Sequence, residues 1–291
     1  MPGKRLDKLN VIFITVTHLI AIYAVYYMVT HFHWETAVLG LIWYALCGLA
    51  ITAGYHRLFS HPTYKANAFI RGFLLFFGAA GVQNSALKWS SDHRRHHAKV
   101  DQDEDPYNIK LGFWWAHIGW IFFTSIEKKE MLPMKDLRAD KLVVFQERHY
   151  VIIAIVSALI VPGALGFIWG DPIGAVLVAG LLRLVIQWHA TFAINSVAHY
   201  IGSRPYSLDN SARDSWLTAW ITFGEGYHNF HHKFQNDYRN GIRWYHLDPT
   251  KWLVWAGSKI GMTHDLKRTP DEKIERAKIA VEEARTSYQT S

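Results

Sequence analysis

The hydrophobic pattern of the chain is blocky rather than evenly mixed. Residues 11–30 (VIFITVTHLIAIYAVYYMVT) and 36–55 (TAVLGLIWYALCGLAITAGY) contain no Asp, Glu, Lys or Arg. As helices each would cover about 30 Å, one bilayer core. HFHWE at 31–35 is all that joins them, which predicts a tight helical hairpin. A second charge-free run spans 150–170 and stops at Asp171-Pro172, and its partner runs over 173–199 with one charge, Arg183. Uncharged runs of this length are unusual in soluble folds. The expected fold is therefore an all-α membrane protein with four transmembrane helices in two hairpins. Two shorter apolar stretches, 72–82 and the Trp-rich 111–126, are too short to cross and are expected at the cytoplasmic interface. The stretch 265–291 reads as a solvated polar helix.

Composition supports a membrane setting. Of 291 residues 50% are hydrophobic, 15% aromatic and only 19% charged. The single cysteine, Cys47, excludes an intrachain disulfide and a cysteine-based metal cluster. Lys and Arg orient the chain: three precede residue 11, fourteen lie in 56–149, thirteen follow 200, and the links 31–35 and 171–172 have none. The positive-inside rule puts both termini and the 56–149 block in the cytoplasm. The net charge of +7 then reflects topology and anionic headgroups, not nucleic acid. One domain, 1–291, is expected, with a cytosolic helical cap built from 56–149 and 200–264.

Histidine is the outlier, with 17 residues, mostly clustered. His56 and His61 sit in HRLFSH, His93, His96 and His97 in HRRHH, and His228, His231 and His232 in HNFHH. The i, i+3, i+4 spacing puts each later triplet on one helix face. His56 and His61, five apart, would diverge by about 140° on an α-helix. They then serve different metals or flank a helix end, and Pro62 favours the latter. His199 follows Asn195 by one turn in NSVAH. Each box follows a completed hairpin, so nine histidines can converge on one cytoplasmic site. Adjacent imidazoles repel when protonated, and metal binding keeps them neutral. Nine exceed one four-coordinate ion, so two metals are expected. Imidazole ligation by itself suits Fe, Zn, Cu or Ni. Asp92 and Glu225 stand beside the boxes as candidate acceptors for ligand N–H groups. His18, His31, His33, His117, His149, His189, His246 and His264 read as hydrogen-bonded structural residues.

HRLFSH, DHRRHH, NSVAH and GEGYHNFHH, in that order between hydrophobic hairpins, resemble the membrane-bound fatty acyl desaturases, in the stearoyl-CoA Δ9-desaturase-like branch. GFWWAHIGW at 112–120 and SRPY at 203–206 fit the same branch, and the likeness covers roughly 40–245. It implies a histidine-held di-iron centre, which zinc can occupy after purification, and O2-dependent insertion of a cis double bond into a saturated acyl chain. His56, His61, His93, His96, His97, His199, His228, His231 and His232 would be the ligands, and Asn195 would act through a bound water. Asn84, Trp89 and Asp92 match the substrate channel. Side chains on the second span would close its methyl end: Gly48 leaves room and Tyr44 is the floor, about 12 and 18 Å below His56. Animal members that act on acyl-CoA have cations where this chain has Ser91 and Thr124-Ser125; Lys88, Lys128 and Lys129 lie nearby as substitutes. Acyl-CoA is the first expectation, with a membrane lipid or acyl-carrier protein behind it. Electrons would come from a separate ferredoxin or b-type cytochrome with its reductase. A hydroxylase, alkane monooxygenase or decarboxylase could use similar boxes, and product analysis separates them. A haem or metal carrier would need ligands at bilayer depth, such as His18 and His189.

Overall fold

The computed structural model describes residues 4–125 and 130–290. Three helices are long and apolar enough to cross a membrane: α1 (Lys8–Thr30), α2 (Trp34–Ser60) and, later in the chain, Pro172–Tyr200. The run expected to span from 150 forms Tyr150–Gly166, bent by 83° against the preceding helix Lys141–Arg148, and the pair makes a fourth span if counted as one. In chain order the remaining helices are α3 (Ala68–Ala79), α4 (Ala86–Lys99), α5 (Phe113–His117), α6 (Lys135–Arg138), α7 (Lys141–Arg148) and α8 (Tyr150–Gly166). There follow α9 (Pro172–Tyr200), α10 (Trp216–Ile221), α11 (His228–Lys233), α12 (Pro249–Lys259) and α13 (Asp271–Thr290).

The apolar faces explain the packing. On α1 the inward positions are small or medium (Ile14, Thr17, Ala21, Ala24), while Ile12, Leu19, Ile22, Tyr26 and Val29 point outward. A helix that is apolar all round needs an apolar medium on its outer side. Ile14 packs with Leu184, Trp188 and Phe192 of α9. Asp171 ties the end of α1 and the start of α2 to the start of α9: it accepts from Tyr27 Oη (2.8 Å), Thr36 Oγ1 (2.6 Å) and the Gly174 amide (2.9 Å). Arg183, buried within α9, donates to the Ala179 and Ala80 carbonyls and to Gln187 Oε1.

Two expectations change. Residues 111–126 do not make one interfacial helix: the described part divides into α5, a 3₁₀ turn (Gly119–Phe122) and a strand (Phe123–Ser125) paired antiparallel with Lys4–Leu6. Gly112, at φ +110°, sets the break before α5. Nor is the polar tail simply solvated. Ile274 of α13 is 2% exposed and packs with Tyr206, Phe230 and Phe234, directly behind α11.

Candidate metal centre

The carboxyl-terminal half of α2 is a π-helix over Ala50–Ser60, ending with His61 as its cap. The His61 amide donates to the His56 carbonyl five residues back, at 3.1 Å. With i→i+5 bonding a turn takes between four and five residues, so positions five apart nearly superpose. The expected 140° divergence therefore disappears, and both imidazoles face one site. Ser85 begins α4 as its cap, accepting from the Lys88 amide, and α4 presents its triplet opposite α2. Asp214 does the same for the third box, its Oδ1 accepting from the Asn229 and Phe230 amides at 2.8 and 3.1 Å.

All nine histidines converge, in two groups: His56, His61, His93, His97 and His231; and His96, His199, His228 and His232. Within each group the nearest ring nitrogens lie within 4.8 Å of one another. Each HxxHH box serves both groups. Its i, i+4 pair goes to one (His93/His97 or His228/His232), and the remaining ring (His96 or His231) crosses to the other. The groups abut where His97 and His232 stack, with centroids 4.3 Å apart.

The close approaches share one atom type. His56–His231 (3.0 Å), His61–His93 (2.8 Å), His97–His231 (2.9 Å), His199–His228 (3.0 Å), His228–His232 (3.1 Å) and His96–His232 (3.4 Å) are all Nε2 to Nε2. Acceptors behind three rings orient them: Glu225 Oε2 is 2.7 Å from His56 Nδ1, Asp105 Oδ1 2.9 Å from His96 Nδ1, and Ser211 Oγ 2.8 Å from His199 Nδ1. A proton held on Nδ1 leaves the Nε2 lone pair to face the centre. Burial, reinforced by neighbouring imidazoles, holds His61, His93, His97, His228, His231 and His232 below the ordinary histidine range. Neutral, convergent, nitrogen-only donors fit two transition-metal ions.

Glu225 is 2% exposed and also accepts from Arg57 Nε (3.1 Å) and Nη2 (2.8 Å) and from Asn240 Nδ2 (2.7 Å). Asp92 does not back a ligand; it pairs with Lys88 Nζ at 2.5 Å, one turn away on α4. The carboxylate the sequence reading missed is Asp105, in the acidic QDED run that follows the second box. Ser211 was missed as well, and its Oγ donates to Asp101 Oδ1 at 2.5 Å. Asn195 is half-buried one turn before His199.

Trp89 stacks on His93, centroids 4.9 Å apart, and its Nε1 donates to Gln83 Oε1 (3.2 Å), while Gln83 Nε2 donates to Thr191 Oγ1 (3.0 Å). Asn84 and Lys88 line a cleft of about 420 Å³ with Glu147, Arg148 and Tyr150. Ser91 is fully buried and accepts from the Leu132 amide, so it does not face that cleft. Thr124 lies in the strand paired with Arg5, while Lys128 and Lys129 fall outside the described residues. The open space expected above Gly48 is filled. A β-carbon there would stand 2.2 Å from the Phe223 ring, so this glycine admits an aromatic side chain of the protein itself. Tyr44 packs against the same ring and donates to the Ile221 carbonyl at 2.9 Å.

Comparison with known proteins matches residues 32–264 to the fatty acid desaturase family. A probable acyl-CoA desaturase of Schizosaccharomyces pombe is 45% identical over 94% of this chain and 57% of its own length. Acyl-CoA desaturase 1 of Saccharomyces cerevisiae is 39% identical over 86% of this chain and 50% of its own. Stearoyl-CoA desaturase 5 of Bos taurus is 36% identical, covering 95% of this chain and 84% of its own. The chain thus spans about half the length of the two yeast relatives.

Proposed function

The chain belongs to the fatty acid desaturase family, and we propose that it inserts a cis double bond, at the Δ9 position, into a saturated fatty acyl chain. The substrate is acyl-CoA, as the names of the yeast and bovine relatives suggest. The observation that carries this reading is the pair of histidine groups, five and four, whose Nε2 atoms converge. Two iron ions bound there would supply the O2-dependent redox chemistry that an alkyl C–H bond, with no acidic proton and no leaving group, requires.

The chain's own side chains do the positioning. Glu225, Asp105 and Ser211 fix the rings of His56, His96 and His199. Asn195 serves the four-histidine group through a water. Trp89, held by Gln83 and Thr191, walls the site beside His93 and keeps water from the reacting carbons. Asn84 and Lys88, the latter held by Asp92, border the cleft where the thioester end enters. Four spans with both termini and the centre on the cytoplasmic side make the protein a single integral-membrane domain. Its two electrons come from a separate ferredoxin or b-type cytochrome with its reductase.

The test is expression in a desaturase-deficient host with double-bond location in the fatty-acid methyl esters. Δ9 monoenes are expected from the wild type and none from His96→Ala or His231→Ala. An iron-loaded wild type that yields alcohols, or no new product, would refute the reading.

A further inference from the structure

Three histidines outside the candidate centre form one hydrogen-bonded chain across α1, α9 and α5. His18 Nδ1 lies 2.7 Å from the Ile14 carbonyl oxygen, and His18 Nε2 lies 3.0 Å from His189 Nε2. His189 Nδ1 is 3.0 Å from His117 Nε2, and His117 Nδ1 is 2.9 Å from Ser196 Oγ. Ser196 Oγ in turn meets the Phe192 carbonyl at 2.9 Å. Both ends are carbonyl oxygens, which only accept. The five links need five hydrogens. Three neutral imidazoles and one hydroxyl supply only four. A neutral chain therefore leaves two lone pairs facing each other at one link, and a single added proton completes them all.

We propose that His18, His189 and His117 are a proton store that takes up one proton and gives it to oxygen reduction at the neighbouring four-histidine group. This rests on the desaturase reading. There, two C–H hydrogens, O2, two electrons and two protons become a C=C bond and two waters; the store supplies one of those protons and returns to its four-hydrogen state. Ser196 stands three residues before His199, about 4.5 Å along the helix axis. His117 is half-buried and belongs to the 111–126 stretch expected at the cytoplasmic interface, the side from which solvent would refill the chain.

The surroundings leave the extra charge to the imidazoles. Phe113, Phe192 and Trp188 rings flank them. The imidazoles packed against His189 are those of His117 and His18, with ring centroids 5.2 and 5.3 Å away. On α9 the guanidinium of Arg183 is bonded to Ala179, Ala80 and Gln187. At the start of α1, Asp7 caps the helix through Asn10, and the 119–122 turn bears no charge. A proton shared between imidazole nitrogens 3.0 Å apart forms a charge-assisted bond, stronger than a neutral one. Ionisable side chains within membrane-spanning helices point to function when they pair in this way.

The experiment uses the iron-loaded full chain in lipid nanodiscs, so that the nine ligand histidines do not titrate. Proton uptake between pH 5 and 8 and ¹⁵N-histidine spectra are compared for wild type, His189→Gln and His117→Asn. Either amide can donate and accept but holds no added proton. Wild type is expected to take up one proton more than each variant. Turnover should fall about tenfold or more on loss of a positioned proton donor, with a larger solvent deuterium isotope effect and unchanged iron content. Equal proton uptake in wild type and both variants overturns the store. Uptake by wild type without alkene from any acyl substrate would support the store and refute the desaturase reading.

Discussion

Glu225 shows how one side chain can set the state of several others. Burial would push its carboxyl up, but Arg57 and His56 outweigh that and hold it at about 2. Its contribution to stability is therefore present above the ordinary carboxylate value and is lost as the pH falls toward 2. Glu225→Gln keeps the shape and removes the charge behind His56. It should lower metal affinity about 10- to 100-fold, as read by chelator competition. The ligand histidines shift the pH dependence in the same direction, for a different reason. Burial first, then neighbouring imidazoles, lowers His61, His93, His97, His228, His231 and His232. Below about 6.5 the unfolded chain then binds more protons than the folded one, so stability rises with pH across that range. The metal-free protein should show a falling Tm from pH 7 to pH 5, and bound metal should flatten the profile. A flat profile without metal would contradict neutral, buried rings.

At the scale of elements, α2 works through its change of pitch. Its α-helical half packs Leu39, Trp43 and Cys47 against Ala158, Ala175 and Ala179, while its π-helical half aims His56 and His61 at one group. Gly48, near the junction, lets the segment before α11 approach. Phe223, at φ +54°, lays its ring over this glycine, and its carbonyl accepts from Thr250 Oγ1 at 2.9 Å. Gly48→Ala should therefore cost about 1–3 kcal/mol through overpacking. Phe223→Ala should remove most of that penalty, and a double-mutant cycle measured by denaturant unfolding would read the coupling. Additive effects would mean that the two residues do not meet.

Over the whole molecule, the third histidine box is held from behind by the chain's last helix. α11 is six residues long and cannot order itself in isolation. It is pinned by Asp214 at its start and by Phe230, which packs with Tyr206, Phe234 and Ile274. Ile274→Ala should cost about 2–5 kcal/mol as a buried deletion. It should also speed metal loss, measured by dialysis against chelator, although Ile274 is no ligand. Unchanged stability and metal retention would show that α13 is dispensable to the centre.

The apolar runs, the histidine boxes and the likeness they support were legible in the sequence because they depend on composition and local period. Charge-free runs at 11–30 and 36–55 can hardly be other than apolar helices, and HxxHH makes three imidazoles neighbours on any α-helix. Glu225 was visible as a carboxylate beside a box. The partition of nine histidines into five and four was not, because it depends on a π-helical pitch in α2 and on how α4 and α11 face each other. Asp105 and Ser211 reach their rings only through loop conformation, and Phe223 fills the place above Gly48 from 175 residues further along. His18, His117 and His189 each looked like a lone structural histidine, and only the packing of α1, α5 and α9 joins them. Periodicity reports what one helix presents; which groups meet across helices is fixed by tertiary packing.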